Sequence, residues 1–186
     1  GFARVPYALP AAPIDFLRHE AVVRRYYPSC EALVKDATGA AHVFAFDHTV
    51  RWAEGERAKQ AIAGGQQVQG PVRMVHGDYT LTSAPQRLRD LAAPPRVNDT
   101  LRPFLDEGAT VIPPALVERA LAGGRFAFVN VWRNIHEEPV QRDPLAFVDA
   151  QTVTPDELVV FEIHYADRIG ENYFAHHSPA HRWYFF

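Results

Sequence analysis

The sequence predicts a mainly β protein with flanking α-helices in a single domain of 186 residues. Five short runs rich in aromatic and β-branched residues follow one another from residue 125 onward, separated by Pro, Gly and Asp turns. Helical periodicity is clearest near the start and in a segment at about 84–123. Strands of that number and spacing are typical of a sandwich or barrel, not of alternating βαβ units.

The helices are predicted from periodic apolar residues next to capping signals. Residues 13–27, "PIDFLRHEAVVRRYY", have an amphipathic pattern, and residues 30–39 continue with a second helix that Gly39 ends. Two further helices are expected in the insertion at about 84–123, where Ser83 and Pro114 are start signals.

The β core is predicted to begin at about residue 41. Residues 41–51 have the short pattern of a strand, whereas residues 52–71 are polar, rich in Gly and Gln and without a period, which predicts a mobile loop. That loop is either a lid or a plain surface excursion. The five later runs are residues 125–133, 144–150, 157–166, 171–177 and 181–186.

The amino-acid composition indicates which kinds of binding partner the protein has. The 19 Lys and Arg and 22 Asp and Glu residues are scattered along the chain, which argues against a nucleic-acid or polybasic membrane surface and favours a small-molecule partner. The single cysteine, Cys30, cannot form an internal disulfide. No run approaches the roughly 18 apolar residues of a membrane span, and the N-terminal residues lack a signal-peptide pattern, so a cytoplasmic location is expected.

The segment "VRMVHGDYT", residues 72–80, places His76 and Asp78 two positions apart. In a strand such residues point to the same face, so an imidazole and a carboxylate converge. The pair is typical of a site in which two imidazoles and one carboxylate occupy one face of Fe(II). By itself the pair is a weak signal, because a strand-end His and Asp also hydrogen-bond to local backbone.

Several further motifs accompany the pair. They are "FDHTVR" (46–51), "VHGDYTLTSAPQRLRDL" (75–91), "FAFVNVWRNI" (126–135), "PVQRDPLAFVDAQTV" (139–153) and "GENYFAHHSPAHRWYFF" (170–186). In this order they resemble the non-haem iron, 2-oxoglutarate-dependent oxygenase family that includes gibberellin desaturase, CmcJ and related fungal hydroxylase/desaturases. The resemblance covers most of the chain.

The resemblance implies a double-stranded β-helix, or jelly-roll, core of the cupin-like type in which His76 and Asp78 bind iron. It also implies an enzyme, a dioxygenase that uses Fe(II), 2-oxoglutarate and dioxygen to oxidise a C–H bond of a small secondary-metabolite substrate. Hydroxylation, desaturation and cyclisation are all open outcomes. One alternative is a jelly-roll small-molecule-binding protein without a competent iron centre. Another is a different metal-assisted enzyme, such as a cupin dioxygenase or isomerase, against which the carboxylate of Asp78 argues.

The third iron ligand is the point where the sequence departs from this family. Family members usually continue beyond the "HRWYYF"-like segment with strands that carry a Pro-His motif and an Arg-x-Ser motif. Either the C-terminal strands of the core are missing here, or the site is completed within the chain. His181 is then the best third ligand, with His176, His177 and His164 behind it.

Two arginines are candidates for binding the 2-oxoglutarate carboxylate, because a guanidinium fork matches a carboxylate. Arg133 is the first of them, and Arg142 is the second unless it pairs with Asp143 or Asp149.

The other candidate residues have either a functional or a purely structural interpretation. Three aromatic residues are either pocket walls or core, namely Trp132, Trp183 and Tyr79. Asp47 and His48 are interpreted as supporting or structural groups.

The aromatic run "RWYFF", residues 182–186, would expose an apolar edge as an unpaired strand. Either more chain covers that edge or another subunit does, and homo-oligomerisation is the hypothesis for the second case.

Overall fold

The computed structural model describes residues 1–6, 13–165 and 168–186, and combines helices with antiparallel sheets. The helices are α1 (His19–Ala21), α2 (Tyr27–Thr38), α3 (Ala53–Arg57), α4 (Ser83–Leu91) and α5 (Pro114–Leu121), with a π-helical turn at Val22–Tyr26 and 3-10 turns at Arg102–Phe104, Ala150–Thr152 and Pro155–Glu157. The strands are β1 (His76–Gly77), β2 (Ala146–Val148), β3 (Leu158–His164), β4 (Ile169–Ala175) and β5 (Trp183–Phe185). None of the helices in the described part of the chain is long and apolar enough to cross a bilayer.

The N-terminal helical region runs without a break from α1 through the π turn into α2, whereas the sequence predicted two separate helices. Pro28 lies in the first turn of α2 and has no N–H to donate, and the wider π turn comes directly before it. The predicted end of α2 is confirmed. Gly39 has a φ of 69° and its N–H donates to the Lys35 carbonyl at 2.9 Å.

The strand predicted at residues 41–51 is wrong. These described residues form only a single bridge, between Arg51 and Gln69, because the rest of the segment has no neighbouring strand to pair with. Its aromatic residues Phe44 and Phe46 pack instead against the core.

Residues 52–71 also differ from the prediction of a mobile loop. The segment contains α3, and Ile62 and Val68 are buried against Val50. These apolar contacts anchor the segment as a packed surface excursion, so the structure does not support a lid.

The predicted helical insertion matches α4 and α5. They pack together through Leu88, Leu91 and Val117, with Ile112 just before α5, and these four residues form the largest buried cluster among the described residues. A second cluster, Val22, Tyr27 and Leu101, fixes the N-terminal helical region against the turn at Arg102–Phe104.

The strands form two separate antiparallel sheets that do not close into a barrel within the described residues. One sheet has the order β1-β4-β3, with His76 opposite Phe174 and Leu158 opposite Ala175. The other pairs β2 with β5, with Phe147 opposite Tyr184. Four of the five late runs therefore contain strands, and Ala166, the last residue of the third run, lies outside the described residues.

The first of the late runs is the exception. Residues 125–133, all of them described, form no strand; Phe128 packs against the core, whereas most of the other residues are exposed. The aromatic run at the other end is paired along one edge, by β2. Phe2 also covers it, stacking on Phe147 with 4.9 Å between ring centroids and meeting Tyr184 edge-on at 5.0 Å.

Candidate metal centre

His76 and Asp78 converge as their spacing predicts. His76 lies in β1, which hydrogen-bonds to β4, and Asp78 follows that strand directly. The Nε2 atom of His76 lies 3.5 Å from Oδ1 of Asp78. Adjacent ligand atoms about 2.1 Å from one ion would lie roughly 3 Å apart, so this separation is close to that of two metal ligands.

The orientation of His76 leaves one ring nitrogen available. Its Nδ1–H donates to the carbonyl of Met74 at 3.1 Å, which fixes the proton on Nδ1. In the neutral imidazole the lone pair is then on Nε2, which faces Asp78. Carbonyl-bound Nδ1 and bare Nε2 are the arrangement in which neutral imidazole binds a metal, so the donor set fits Fe(II).

The two carboxylate oxygens of Asp78 have different neighbours. Oδ1 faces His76, and Oδ2 accepts a hydrogen bond from Nδ2 of Asn130 at 2.7 Å. The side chain is 42% exposed. One oxygen is thus occupied by a neutral donor, and the other is directed to the imidazole.

A cavity of about 370 Å³ adjoins Asp78. Its walls are mostly aromatic and apolar, and they include Tyr79, Phe126, Phe128, Asn130 and Tyr173. Tyr79 stacks on Phe128 with 4.2 Å between ring centroids. Burial raises the pKa of Tyr79 to about 12, so its hydroxyl stays neutral.

The three aromatic candidates lie at three different places in the structure. Tyr79 lines the cavity beside Asp78, as predicted for a pocket wall. Trp183 lines a different cavity of about 240 Å³, together with His181. Trp132 is 45% exposed and lines neither of these two cavities.

His181 contacts Glu157 and not the pair formed by His76 and Asp78. Its Nε2 lies 3.0 Å from Oε2 of Glu157, and its side chain is 1% exposed. The backbone N–H of Thr154 and then His181 stabilise the Glu157 carboxylate and lower its pKa to about 2. His181 shares the 240 Å³ cavity with Met74 and Val75, the residues that lead into β1.

No three His, Cys, Asp or Glu side chains among the described residues form a group that could hold a metal ion. The structure therefore does not gather His181 with His76 and Asp78. The other histidine candidates also do not join His76 and Asp78. His176 and His177 line the same cavity as His181, and His164 pairs with Glu162 at 2.8 Å on the surface.

The arginine candidates have other neighbours. Arg133 lies at the N-terminal helical region, where it favours the ionised forms of Tyr26 and Cys30 against the burial that raises the pKa of both. Arg142 does not pair with the expected carboxylates.

Those two carboxylates bind other arginines. Asp143 accepts from Arg73 at 2.9 Å, and Asp149 lies 3.6 Å from Arg182.

Asp47 and His48 have structural contacts, in line with their interpretation from sequence. His48 Nδ1 lies 2.9 Å from the hydroxyl of Tyr27, and its ring stacks on His19 at 5.1 Å. Asp47 accepts from the hydroxyl of Thr100. The segment is thereby fixed to α1 and α2.

Sequence reasoning missed Asn130 and Glu157. Asn130 belongs to a segment that forms no strand, and Ala127 lines the same cavity as Phe128, so no period in the sequence places Asn130 beside Asp78. Glu157 lies 24 residues from His181, and no local pattern connects them.

Comparison with known proteins places the chain in a family. The family described as "Oxidoreductase/YMDC permease-like domain" matches residues 1–105 and 107–186. The chain belongs to this family. The resemblance to iron oxygenases is also confirmed, because relatives of the chain are named Fe(II)/2-oxoglutarate-dependent dioxygenases and hydroxylase/desaturases.

Two relatives illustrate this family membership. An uncharacterised protein in the dcmA 3' region of Methylophilus leisingeri is 42% identical over 73% of this chain and 63% of its own length. The Fe(II)/2-oxoglutarate-dependent dioxygenase nvfI of Aspergillus novofumigatus is 32% identical over 85% of this chain and 47% of its own length. The chain thus spans about half to two thirds of the length of these relatives.

A solved structure shows the same fold. The iron and alpha-ketoglutarate-dependent endoperoxidase NvfI aligns with a TM-score of 0.61 and 24% identity, over 89% of this chain and 50% of that chain. The helices and antiparallel sheets described above thus correspond to half of that structure.

Proposed function

We propose that this chain carries two of the iron ligands, His76 and Asp78, of a non-haem Fe(II)- and 2-oxoglutarate-dependent oxygenase. The observation that supports this most is the 3.5 Å approach of Nε2 of His76 to a carboxylate oxygen of Asp78 at the end of β1. The names of the relatives support the same chemistry.

The two side chains have complementary roles in this proposal. His76 donates a neutral nitrogen, and Asp78 contributes a negative charge that offsets part of the charge of the ion. Bound Fe(II) would supply the centre at which 2-oxoglutarate and dioxygen react and a C–H bond is oxidised. The protein's part is to position the substrate beside this centre and to exclude water.

The 370 Å³ cavity supports a small, largely apolar substrate. Its aromatic walls give apolar contact area, and Asp78 lies at its edge. A secondary-metabolite substrate fits these walls. Hydroxylation, desaturation and cyclisation differ only in how the substrate is placed, so the cavity is compatible with each of them.

A jelly-roll core is also part of the proposal. The sheets β1-β4-β3 and β2-β5 are antiparallel, as the strands of a double-stranded β-helix are, and the likeness to NvfI supports this interpretation.

The remaining site residues stay predictions. His181 is the candidate third ligand within the chain, and it would have to give up its contact with Glu157 to bind iron. Arg133 would likewise have to leave Tyr26 to bind 2-oxoglutarate.

The test is an anaerobic titration of the full-length protein with Fe(II) and 2-oxoglutarate, followed by the visible charge-transfer band of the ternary complex. We expect a band in the wild type and none in His76→Ala. His136→Ala is the matched control, since this exposed histidine accepts a hydrogen bond from the backbone N–H of Glu138 at 3.1 Å and is not a candidate ligand. His181→Ala tests the third ligand: loss of the band supports it. A wild type without a band contradicts the proposal.

Homo-oligomerisation and a cytoplasmic location also stay predictions. Phe185 is 67% exposed and Val160 is 52% exposed, which gives the sheets apolar surface for self-association. Sedimentation velocity on the full-length protein tests this, and a monomer at all concentrations argues against it.

A further inference from the structure

We propose that Asn130 is a positioning residue for the metal centre: its carboxamide holds Asp78 so that one carboxylate oxygen only, Oδ1, is presented to the metal. The inference rests on the proposed iron site at His76 and Asp78. It adds a residue from a segment far along the chain to that site.

Each carboxylate oxygen of Asp78 has a different neighbour. Asn130 Nδ2 donates to Oδ2 at 2.7 Å, while Oδ1 lies 3.5 Å from His76 Nε2. The carboxylate torsion of an aspartate is broad, so an exposed Asp78 would otherwise sample many orientations. A short hydrogen bond on one oxygen selects the orientation in which the other faces the imidazole.

Asn130 is itself placed by packing. Phe128, two residues earlier, stacks on Tyr79 at 4.2 Å and meets Phe46 edge-on at 5.7 Å. Tyr79 directly follows Asp78. The segments 78–79 and 128–130 are therefore joined twice, by a ring stack and by a hydrogen bond, which sets the distance from Asn130 to Asp78 without a paired strand.

A purely structural role predicts a different result from a positioning role. Both Asn130 and Asp78 are exposed, so the hydrogen bond contributes little to the free energy of unfolding. Loss of a residue that orients a metal ligand typically lowers metal affinity by about 10- to 100-fold. The two readouts therefore separate the roles.

The experiment measures Mn(II) affinity by electron paramagnetic resonance, together with the thermal unfolding midpoint of the metal-free protein, in the full-length protein. The variants are Asn130→Ala and Asn130→Leu, which remove the amide donor with and without a loss of side-chain volume. Asn134→Ala is the matched control, because Asn134 donates to the Glu138 carbonyl at 2.8 Å and not to Asp78.

We expect both Asn130 variants to bind Mn(II) about 10- to 100-fold more weakly, with an altered spectrum of the bound ion and an unchanged unfolding midpoint. Asn134→Ala should match the wild type. Wild-type affinity in both Asn130 variants overturns the positioning role while leaving the iron site intact. A wild type that binds no Mn(II) overturns the iron site and the role of Asn130 with it.

Discussion

Glu157 and His181 are joined by a hydrogen bond, with 3.0 Å between the carboxylate Oε2 and the imidazole Nε2 and with the His181 side chain 1% exposed. Thr154, in the preceding turn, donates its backbone N–H to the same carboxylate oxygen at 2.9 Å. The pair joins the turn before β3 to the segment before β5.

Glu157→Gln is expected to lower the free energy of unfolding at pH 7. The backbone N–H of Thr154 and His181 lower the pKa of Glu157 from 4.5 to about 2, so the stabilisation is present above about pH 4.5 and is lost as pH falls toward 2. The difference between wild type and Glu157→Gln, measured by urea unfolding from pH 7 to pH 2.5, should therefore shrink below pH 4.5.

The control for this prediction is Glu162→Gln. Glu162 also pairs with a histidine, His164, but both side chains are more than half exposed, so the change in unfolding free energy should be small. A Glu157→Gln difference that is constant across the pH range would contradict the assignment to ionised Glu157.

Tyr27→Phe is expected to cost about 1–3 kcal/mol of unfolding free energy, because it leaves Nδ1 of half-buried His48 without its 2.9 Å partner. Denaturant unfolding measures this effect. The exposed Tyr184→Phe should stay within about 0.5 kcal/mol. Equal losses in the two variants would argue against the role of the Tyr27 hydroxyl.

His48 is expected to titrate below 6.5 in the folded protein. Burial, followed by the neighbouring His19, lowers its pKa, so the unfolded chain takes up the proton first. The stabilisation is present above pH 6.5 and is lost as pH falls from 6.5 to the folded pKa. A proton NMR titration of the imidazole resonances checks this, with His48→Gln to assign the signal. A pKa above 6.5 would contradict the prediction.

Asp99→Ala is expected to destabilise the fold by about 3 kcal/mol. Asp99 Oδ1 lies 2.9 Å from Arg87 and 3.2 Å from Arg168, and all three side chains are less than one-fifth exposed. Removing the carboxylate leaves two buried guanidinium groups without this counter-charge. Urea unfolding measures the loss, and Arg73→Ala, which breaks the pair of this exposed arginine with Asp143, should cost much less. Similar costs for both variants would contradict this account.

Gly39→Ala is expected to cost about 1 kcal/mol of unfolding free energy. The φ of 69° at the end of α2 is in the left-handed region, and an added Cβ would meet nothing within 4 Å, so the cost is backbone strain alone. Gly39→Asn is the control, since Asn tolerates this conformation better and should lose less. Thermal unfolding distinguishes the two variants, and equal losses would contradict the explanation.

Local signals predicted the parts of the fold that depend on near neighbours. Gly39 ends α2 and Pro114 begins α5, because these signals act within a few residues. Ser83, predicted as the N-cap of α4, is instead its first residue, and Thr82 is at the N-cap without a side-chain cap hydrogen bond. The convergence of His76 and Asp78 was also predictable, since residues two apart in a strand share a face.

Strand formation was less predictable. Residues 41–51 and 125–133 have strand-like composition, yet in the structure they are held by the side chains of Phe44, Phe46 and Phe128. A strand needs a partner edge, and the sequence of one segment does not say whether another edge is adjacent.

The sequence by itself determined the helix ends, the pairing of His76 with Asp78 and the family to which the chain belongs, because these depend on short spacings and ordered motifs. Only the tertiary structure decided that Asn130 holds Asp78 and that Glu157 holds His181. Those contacts join residues 52 and 24 positions apart. Their partners are selected by how whole segments pack, which no local pattern records.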